Sequence, residues 1–484
     1  MSTLVQPLRR GATLERPLYE GAFGLLLVAV LVLTTLDEGA LATVGRGFAL
    51  VGFAFLTITN AGAALGVYIA ASLLFSQHHF QGQGSWVERP DNYALLFLVF
   101  YLSMTRCFGR TSGRFGWTAI AAVLLLATTL GHLVALVGFS PYELSWFARM
   151  FAIPLAMFVL FRRVALAPRE ISALLLIVAS IAVYAAVVSL LEKLAWYTLI
   201  VPPWLTDPAF NPAFGDPRVG GLSMQPEWNA LVMSLTFCAI LLRLDQKPSL
   251  SNFGWLAGGG LCLLAIYFTY TRGAWLGLLF GGVPLFWQMS ATRGVTIRRR
   301  VLFVSCALGF AALVLLAPSD ILRARTSDVN TVYFRVNIWA AGLRMVVDHP
   351  LIGVGYGQFS SYVPSYFQVL GSIPLDSGLR SAGSIAHNTF LSVAAELGLV
   401  GLTLYLLVLG GGYRAAHAAA GIAWGQRGRS WVAGMTLVYL VNVQFITAHE
   451  LLPNILYFGF MGAVAGMRGP GGKSAGAAPS HARS

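Results

Sequence analysis

AHNTFLSVAAELGLVGLTLYLLVLG, residues 386–410, is the stretch whose reading decides the fold. After a polar His-Asn-Thr start it runs for about 20 residues with Glu396 as its one charged side chain, the length a helix needs to cross the hydrocarbon core of a bilayer. Its apolar residues do not alternate as in a barrel strand, and a spanning segment must satisfy its own backbone, so it reads as a transmembrane helix. Asn388 or Thr389 supplies the oxygen that caps its first turn. His387 then stands at the rim, where a long polar stretch ends and the membrane begins.

The same signature recurs in both directions. Of 484 residues 57% are hydrophobic and 11% charged, which excludes an ordinary soluble globular protein. Toward the N-terminus, apolar runs occupy 21–36, 43–59, 62–76, 93–105, 117–137, 146–161, 171–191, 228–243, 254–270, 274–289 and 301–317. Beyond 388–410 come 431–447 and 451–467. The fold class is therefore all-α, a polytopic membrane bundle of fourteen spans, or twelve if the short Gly-rich runs around Asn60 and Ala61 do not each cross. The domain reading is 1–317 with about eleven spans, 318–387 as a large external loop, 388–467 with about three spans, and a disordered cytoplasmic tail at 468–484, rich in Gly, Pro, Ser and Ala.

Net charge is +13, and its distribution speaks against nucleic acid. The fourteen-span count places Arg9, Arg10 and Arg16, Arg106, Arg110 and Arg114, Arg162, Arg163 and Arg169, Arg243 and Lys247, Arg293 and 298–300, and Arg414, Arg427 and Arg429 all on one side. By the positive-inside rule that side is cytoplasmic. Loops 76–92, 192–227 and 318–387 then face outward, and long ordered loops are where function concentrates. No cleavable leader is visible at the first apolar run. Cys107, Cys238, Cys262 and Cys306 stand singly, without metal-ligand spacing or a disulfide framework.

Within 318–387 the pattern predicts a helix over 333–347, with Phe334, Ile338, Leu343, Met345 and Val346 as its apolar surface and Trp339 as an interfacial anchor. It lies along the outer leaflet or packs on the bundle, and His349-Pro350 ends it. Three external arginines accompany it: Arg335 in its first turn, Arg272 at the tight turn of FTYTRGAWLG, and Arg218 in the loop 192–227. Guanidinium makes forked hydrogen bonds to phosphate oxygens, so arginines converging at the outer leaflet suit a phosphate or diphosphate headgroup. Taken singly, each is as well explained by snorkelling or helix capping.

His387 has two readings, as a proton acceptor near neutral pH or as a bystander of the helix cap. Glu396, about two and a half turns into the span, is expected to accept hydrogen bonds from a neighbouring helix or loop. Asp37 and Glu38 in the first external loop, and His449 and Glu450 in the last, are further ionisable groups at the outer face. Gly353, Gly355 and Gly357 resemble a nucleotide loop but lack a βαβ unit, so they read as a tight turn. His78-His79 has no further ligands and makes a poor metal site.

Three segments, TRGAWLG at 271–277, the stretch from Arg335 through DHPLIGVGYGQF at 348–359, and AHNTFLSVAAELGLVG at 386–401, together resemble the O-antigen ligase and polymerase superfamily of bacterial envelope glycosyltransferases, over roughly 220–410. The resemblance implies metal-independent, cofactor-free, inverting transfer at the periplasmic face of the inner membrane, from a glycan on undecaprenyl diphosphate to an acceptor hydroxyl. On matching positions, His387 would be the general base, Arg272 and Arg335 would hold the diphosphate, and Asn388 and Glu396 would support them. Arg218 joins them through GGLSMQPEWNALVM, where Glu227-Trp228 interrupts a simpler Pro-Asn pattern. The acceptor is lipid A-core for a ligase, placed first here, and another lipid-linked glycan for a polymerase; a protein-glycosylating transferase comes third. A small-anion transporter is the alternative of another class, and it would place ionisable residues near mid-membrane on broken helices.

Overall fold

The computed structural model describes residues 15–34, 40–75, 90–107, 117–137, 141–208, 211, 214–243, 250–290, 329–368, 385–447 and 450–467. The expected span 301–317, Cys306, Asp37, Glu38, His78, His79, His449 and the tail 468–484 lie outside them, as do 318–328 and 369–384 of the long loop.

Regular structure among the described residues is entirely helical. In chain order the helices are α1 (Glu15–Leu33), α2 (Ala40–Thr59), α3 (Ala61–Phe75), α4 (Pro90–Leu102), α5 (Trp117–His132), α6 (Pro141–Phe147), α7 (Ile153–Val164), α8 (Pro168–Lys193), α9 (Pro226–Arg243), α10 (Leu250–Phe268), α11 (Arg272–Ser290), α12 (Val329–Asp348), α13 (Phe359–Tyr366), α14 (Thr389–Asn442) and α15 (Leu451–Ala465). Five stretches are long and apolar enough to cross a membrane among the described residues: 42–59, 117–135, 143–164, 168–193 and within α14. Shorter apolar helices such as α3 and α15 pack among them, and the chain is a polytopic helical membrane protein.

The helix α8 serves as a ruler. Pro168 sits in its first turn, where its missing N–H costs nothing, and Glu170 accepts from the Ala167 N–H at 2.8 Å. From Glu170 to Glu192 the rise is about 33 Å. At the Glu170 end, its carboxylate also accepts from Arg106 Nη1 at 2.7 Å and from Ala61 N at 3.2 Å, while Asn60 Nδ2 donates to Glu20 at 2.6 Å. The starts of α1 and α8 thus meet the tail of α4 and the α2–α3 junction. Asn60 Oδ1 caps α3 by accepting from Ala63 N at 2.9 Å, so the ambiguous run around it is two helices. All fifteen residues of α3 are buried.

The 54 residues of α14 are broken by glycines at positive φ, Gly398 (+69°) and Gly425 (+63°). The helix that begins at Thr389 continues well past 410, because Ala415–Ala420 are mostly the strongest helix former. Beyond Gly425 the chain returns: Thr389 N donates to Val443 O at 2.8 Å and Asn388 Nδ2 to Gln444 Oε1 at 3.2 Å.

At Gly398 the carbonyls freed by the break are taken by the loop after α12. Val354 N donates to Ala395 O (2.9 Å), Gly355 N to Glu396 O (3.0 Å), and Leu399 N back to Pro350 O (2.8 Å). A methyl group on Gly353 would stand 2.4 Å from the Glu396 carbonyl carbon, so the close approach requires glycine. The Glu396 carboxylate accepts from Gly357 N at 3.1 Å and Phe359 N at 3.3 Å, the latter opening α13. The triple-glycine segment is thus a main-chain clamp on the helix break.

Candidate active site

The other end of α8 carries the candidate site. Glu192 accepts from Gly220 N (3.1 Å) and Gly221 N (2.7 Å), and Val219 N donates to Phe268 O (3.2 Å), which ties the segment before α9 to the ends of α8 and α10. Arg218 is thereby fixed beside the first turn of α9. Its Nη1 meets Glu227 Oε1 at 2.5 Å, its Nε lies 3.7 Å from Asp216 Oδ2, and its backbone N–H donates to Asp216 Oδ1 at 2.8 Å.

Arg272 opens α11 and is exposed. The next residue, Gly273, packs so closely that a methyl there would come within 2.7 Å of the Phe445 ring. Phe445 follows the same Gln444 whose side chain meets Asn388, so this turn joins Arg272 to the start of α14.

Arg335 lies on α12, which begins at Val329, earlier than the expected 333, and so it occupies the second turn rather than the first. The helix packs on the bundle through Ile338, Ala341 and Met345, all at 0% exposure, while Leu343 stays exposed. Trp339 is a hydrogen-bonding partner as well as an apolar anchor: its indole N–H donates to Ala386 O at 3.0 Å, immediately before His387. From the same helix Phe334 meets the imidazole edge-to-face, with centroids 5.9 Å apart.

His387 itself has φ +47°, left-handed backbone that costs a non-glycine residue about 1 kcal/mol. Bonds on both sides hold it there. Trp339 fixes Ala386, Asn388 caps α14 by accepting from Leu391 N at 3.0 Å, and Thr389 is bound through N–H and hydroxyl to Val443 O and Ile446 O. The cap belongs to Asn388, and the turn it enforces sets the direction of the imidazole.

Electrostatically these groups form one cluster. Burial, then the positive charge of Arg335, pulls the His387 pKa down to about 4, with Glu227 acting in the opposite direction. Burial lowers Arg335 from the ordinary guanidinium value, Glu227 raises it, and Arg272 and Arg218 lower it further; it stays charged at neutral pH. The fold therefore brings Arg218, Arg272, Arg335 and His387 to one place, around a carboxylate that sequence reasoning treated only as a break in a pattern. Glu227 had a readable signal, since an acidic residue in a helix's first turn faces the positive end of the dipole. Glu396 and Asn388 stand behind the cluster, as clamp and cap. Glu450 precedes α15 and is buried. Among the described residues, no three His, Cys, Asp or Glu side chains are grouped as a metal ion would need.

Chemically, an imidazole that is neutral at pH 7 stands beside the guanidinium group of Arg335, within the field of Glu227 and of two further arginines. Such a site receives an anion and accepts a proton next to it. Residues 257–406 match the family described as O-Antigen ligase. Over 161 residues the chain is 29% identical to the Exopolysaccharide production protein ExoQ of Rhizobium meliloti (strain 1021); the match covers 32% of this chain and 36% of that protein, about a third of each. Arg272, Arg335, His387, Asn388 and Glu396 fall inside 257–406, while Arg218 and Glu227 precede it.

Proposed function

We propose, from the match of residues 257–406 to the family described as O-Antigen ligase, that the chain transfers a glycan from undecaprenyl diphosphate to an acceptor hydroxyl, at the periplasmic face of the bacterial inner membrane. Convergence of His387 with Arg335 and Arg272 is the observation that carries this reading.

The diphosphate of the donor sits against Arg272 and Arg335, where paired guanidiniums match its oxygens. Neutral His387 takes the acceptor O–H proton as that oxygen attacks the anomeric carbon. The bond from that carbon to the diphosphate breaks on the opposite face, the electron pair leaves with the diphosphate, and the configuration inverts. Negative charge grows on the leaving group where the arginines are already fixed, and such preorganised charge supplies several kcal/mol. No metal is needed for this division of labour. Donor binding also tunes the base: its negative charge offsets that of Arg335, so His387 becomes more basic once the diphosphate is in place.

Ligation to lipid A-core is the first reading, and chain polymerisation from the same donor is the second, supported by the likeness to an exopolysaccharide production protein. Purified protein incubated with undecaprenyl-diphosphate glycan, with and without lipid A-core, separates them. Attachment to the core marks a ligase; chain growth without it marks a polymerase. Full transfer by His387→Ala would remove the base assignment. Anion uptake that persists when Arg272 and His387 are both alanine would favour the transporter instead.

A further inference from the structure

The first turns of α14 carry no exposed face. From Thr389 to the break at Gly425 the helix measures about 54 Å, against about 30 Å for a hydrocarbon core, so part of it projects beyond the bilayer. None of residues 389–398 is exposed. The first exposed side chains are Leu399 and Val400, followed by Thr403, Leu406 and Leu407 on a helix apolar enough to span a membrane. The side that α14 offers to acyl chains thus begins at the Gly398 break. Measured from Leu399, Arg414 lies about 22 Å along the helix, near enough to the far edge of the core for its guanidinium to reach the headgroups.

Beside those first turns α12 descends in the same direction. Trp339 donates to Ala386 O, a methyl on Gly342 would stand 3.0 Å from the Leu391 side chain, and the turn at 350–355 grips residues 395–399. One row of side chains at the end of α12 is spent on α13: Arg344 Nη1 donates to Tyr366 O at 3.1 Å, and the Tyr366 hydroxyl donates to Asp348, one turn further on. The neighbouring row, Leu343 and Val347, is exposed, and the chain beyond it adds Leu351 and Ile352, exposed as well. This row meets α14 where Leu399 N donates to Pro350 O at 2.8 Å and where a methyl on Gly398 would stand 2.1 Å from Leu351 O. A contiguous exposed apolar surface marks an interaction site, and this one continues the face of a spanning helix, which selects the bilayer over a soluble partner.

We propose that the end of α12 and the turn after it are immersed in the leaflet at this end of α14, with Leu343, Val347, Leu351 and Ile352 among the acyl chains. The membrane boundary then passes the Gly398 clamp, with Asp348 and His349 at headgroup depth. His387 stands outside the hydrocarbon, about 15 Å of helix above that boundary, and not at the rim where the apolar run begins. The clamp is the joint that ties an immersed foot of α12 to a spanning helix. None of this depends on the transfer reaction proposed above.

The test uses the full-length protein in phosphatidylcholine vesicles doped with a phosphatidylcholine that carries a diazirine on its acyl chain, either near the glycerol or at the chain end. After irradiation, peptide mass spectrometry locates the adducts, and hydroxyl-radical footprinting of the same vesicles reports contact with water. With the diazirine near the glycerol, adducts are expected on 343–352 as on Leu399 and Val400, none are expected on 386–398, and 343–352 should be oxidised no more than 399–407. Moving the diazirine to the chain end should shift the adducts toward Leu406 and Leu407. Vesicles in which 399–407 carries adducts and 343–352 carries none overturn the immersion: if 343–352 is oxidised it faces water, and if it is shielded from both probes a protein surface covers it. Equal labelling of 343–352 by the two diazirines, or adducts on 386–398 as strong as those on 399–407, overturns the depth and returns His387 to the hydrocarbon edge.

Discussion

Glu170 and Glu227 each meet an arginine, one at either end of the bundle, and their surroundings part company from there. Glu170 shares its two oxygens among Arg106 Nη1, Ala61 N and Ala167 N, with its side chain 5% exposed. Glu227 gives one oxygen to Arg218, stays 25% exposed, and leaves the rest of its field to Arg335 and His387. A carboxylate with three donors shared between its two oxygens fastens helices together. One that is only partly taken acts on a titratable neighbour, and the proposed base His387 is that neighbour at the Glu227 end.

The largest effect that would break this contrast is at His387. His387→Ala is expected to lower transfer by about 10²–10⁴-fold, the usual worth of a positioned base, with little change in thermal unfolding. A large loss of stability with residual activity intact would make it a structural residue like Glu170. Glu170→Gln should do the reverse. Removing one partner of a buried ion pair costs on the order of 3–5 kcal/mol, visible as an earlier thermal transition, while transfer per folded molecule is retained.

The third effect is on pH dependence, and its sign follows from the charges. With a pKa of about 4, His387 is neutral down to mildly acidic pH, so in the free enzyme the acid limb of kcat/KM lies well below the ordinary imidazole value of 6.5. Arg335→Gln removes a positive charge that favours the neutral ring, so the pKa rises and the limb moves to higher pH. Glu227→Gln removes a negative charge that favours the imidazolium, so the limb moves lower. Profiles that shift together, or not at all, would separate Glu227 from the base. Smallest is Gly425→Ala: nothing lies within 4 Å of the added methyl, so only the φ of +63° is strained, and about 1 kcal/mol of stability is expected by denaturation.

Much of this was legible in sequence, for local reasons. Apolar runs of spanning length mark the helices because backbone in lipid leaves no other choice, and Asn388 at the edge of a run marks a cap because its side chain reaches only its own first turn. Arg272, Arg335 and His387 stand out as ionisable groups beside apolar runs. Other features depend on partners distant in the chain. Nothing near Glu227 announces that Arg335, 108 positions later, will face it. The helix α12 starts at Val329, four residues before the apolar pattern at 333–347, because Val329–Thr331 carry little apolar pattern of their own. The glycines at 353, 355 and 357 read as a turn, and a turn they make, but their partners lie some 40 residues further on.

The clamp at Gly398 is built from main-chain N–H and C=O groups and the Glu396 carboxylate, while the side chains of Leu351 and Ile352 are 66% and 57% exposed. Chemistry at those two positions is therefore decoupled from the joint they belong to. A fluorophore or spin label attached through an introduced cysteine at 351 or 352 would ride on the backbone that grips residues 395–399 without entering the grip. Distance measurements from it to a second label would follow, in a working membrane, whether the joint stays shut as substrate comes and goes.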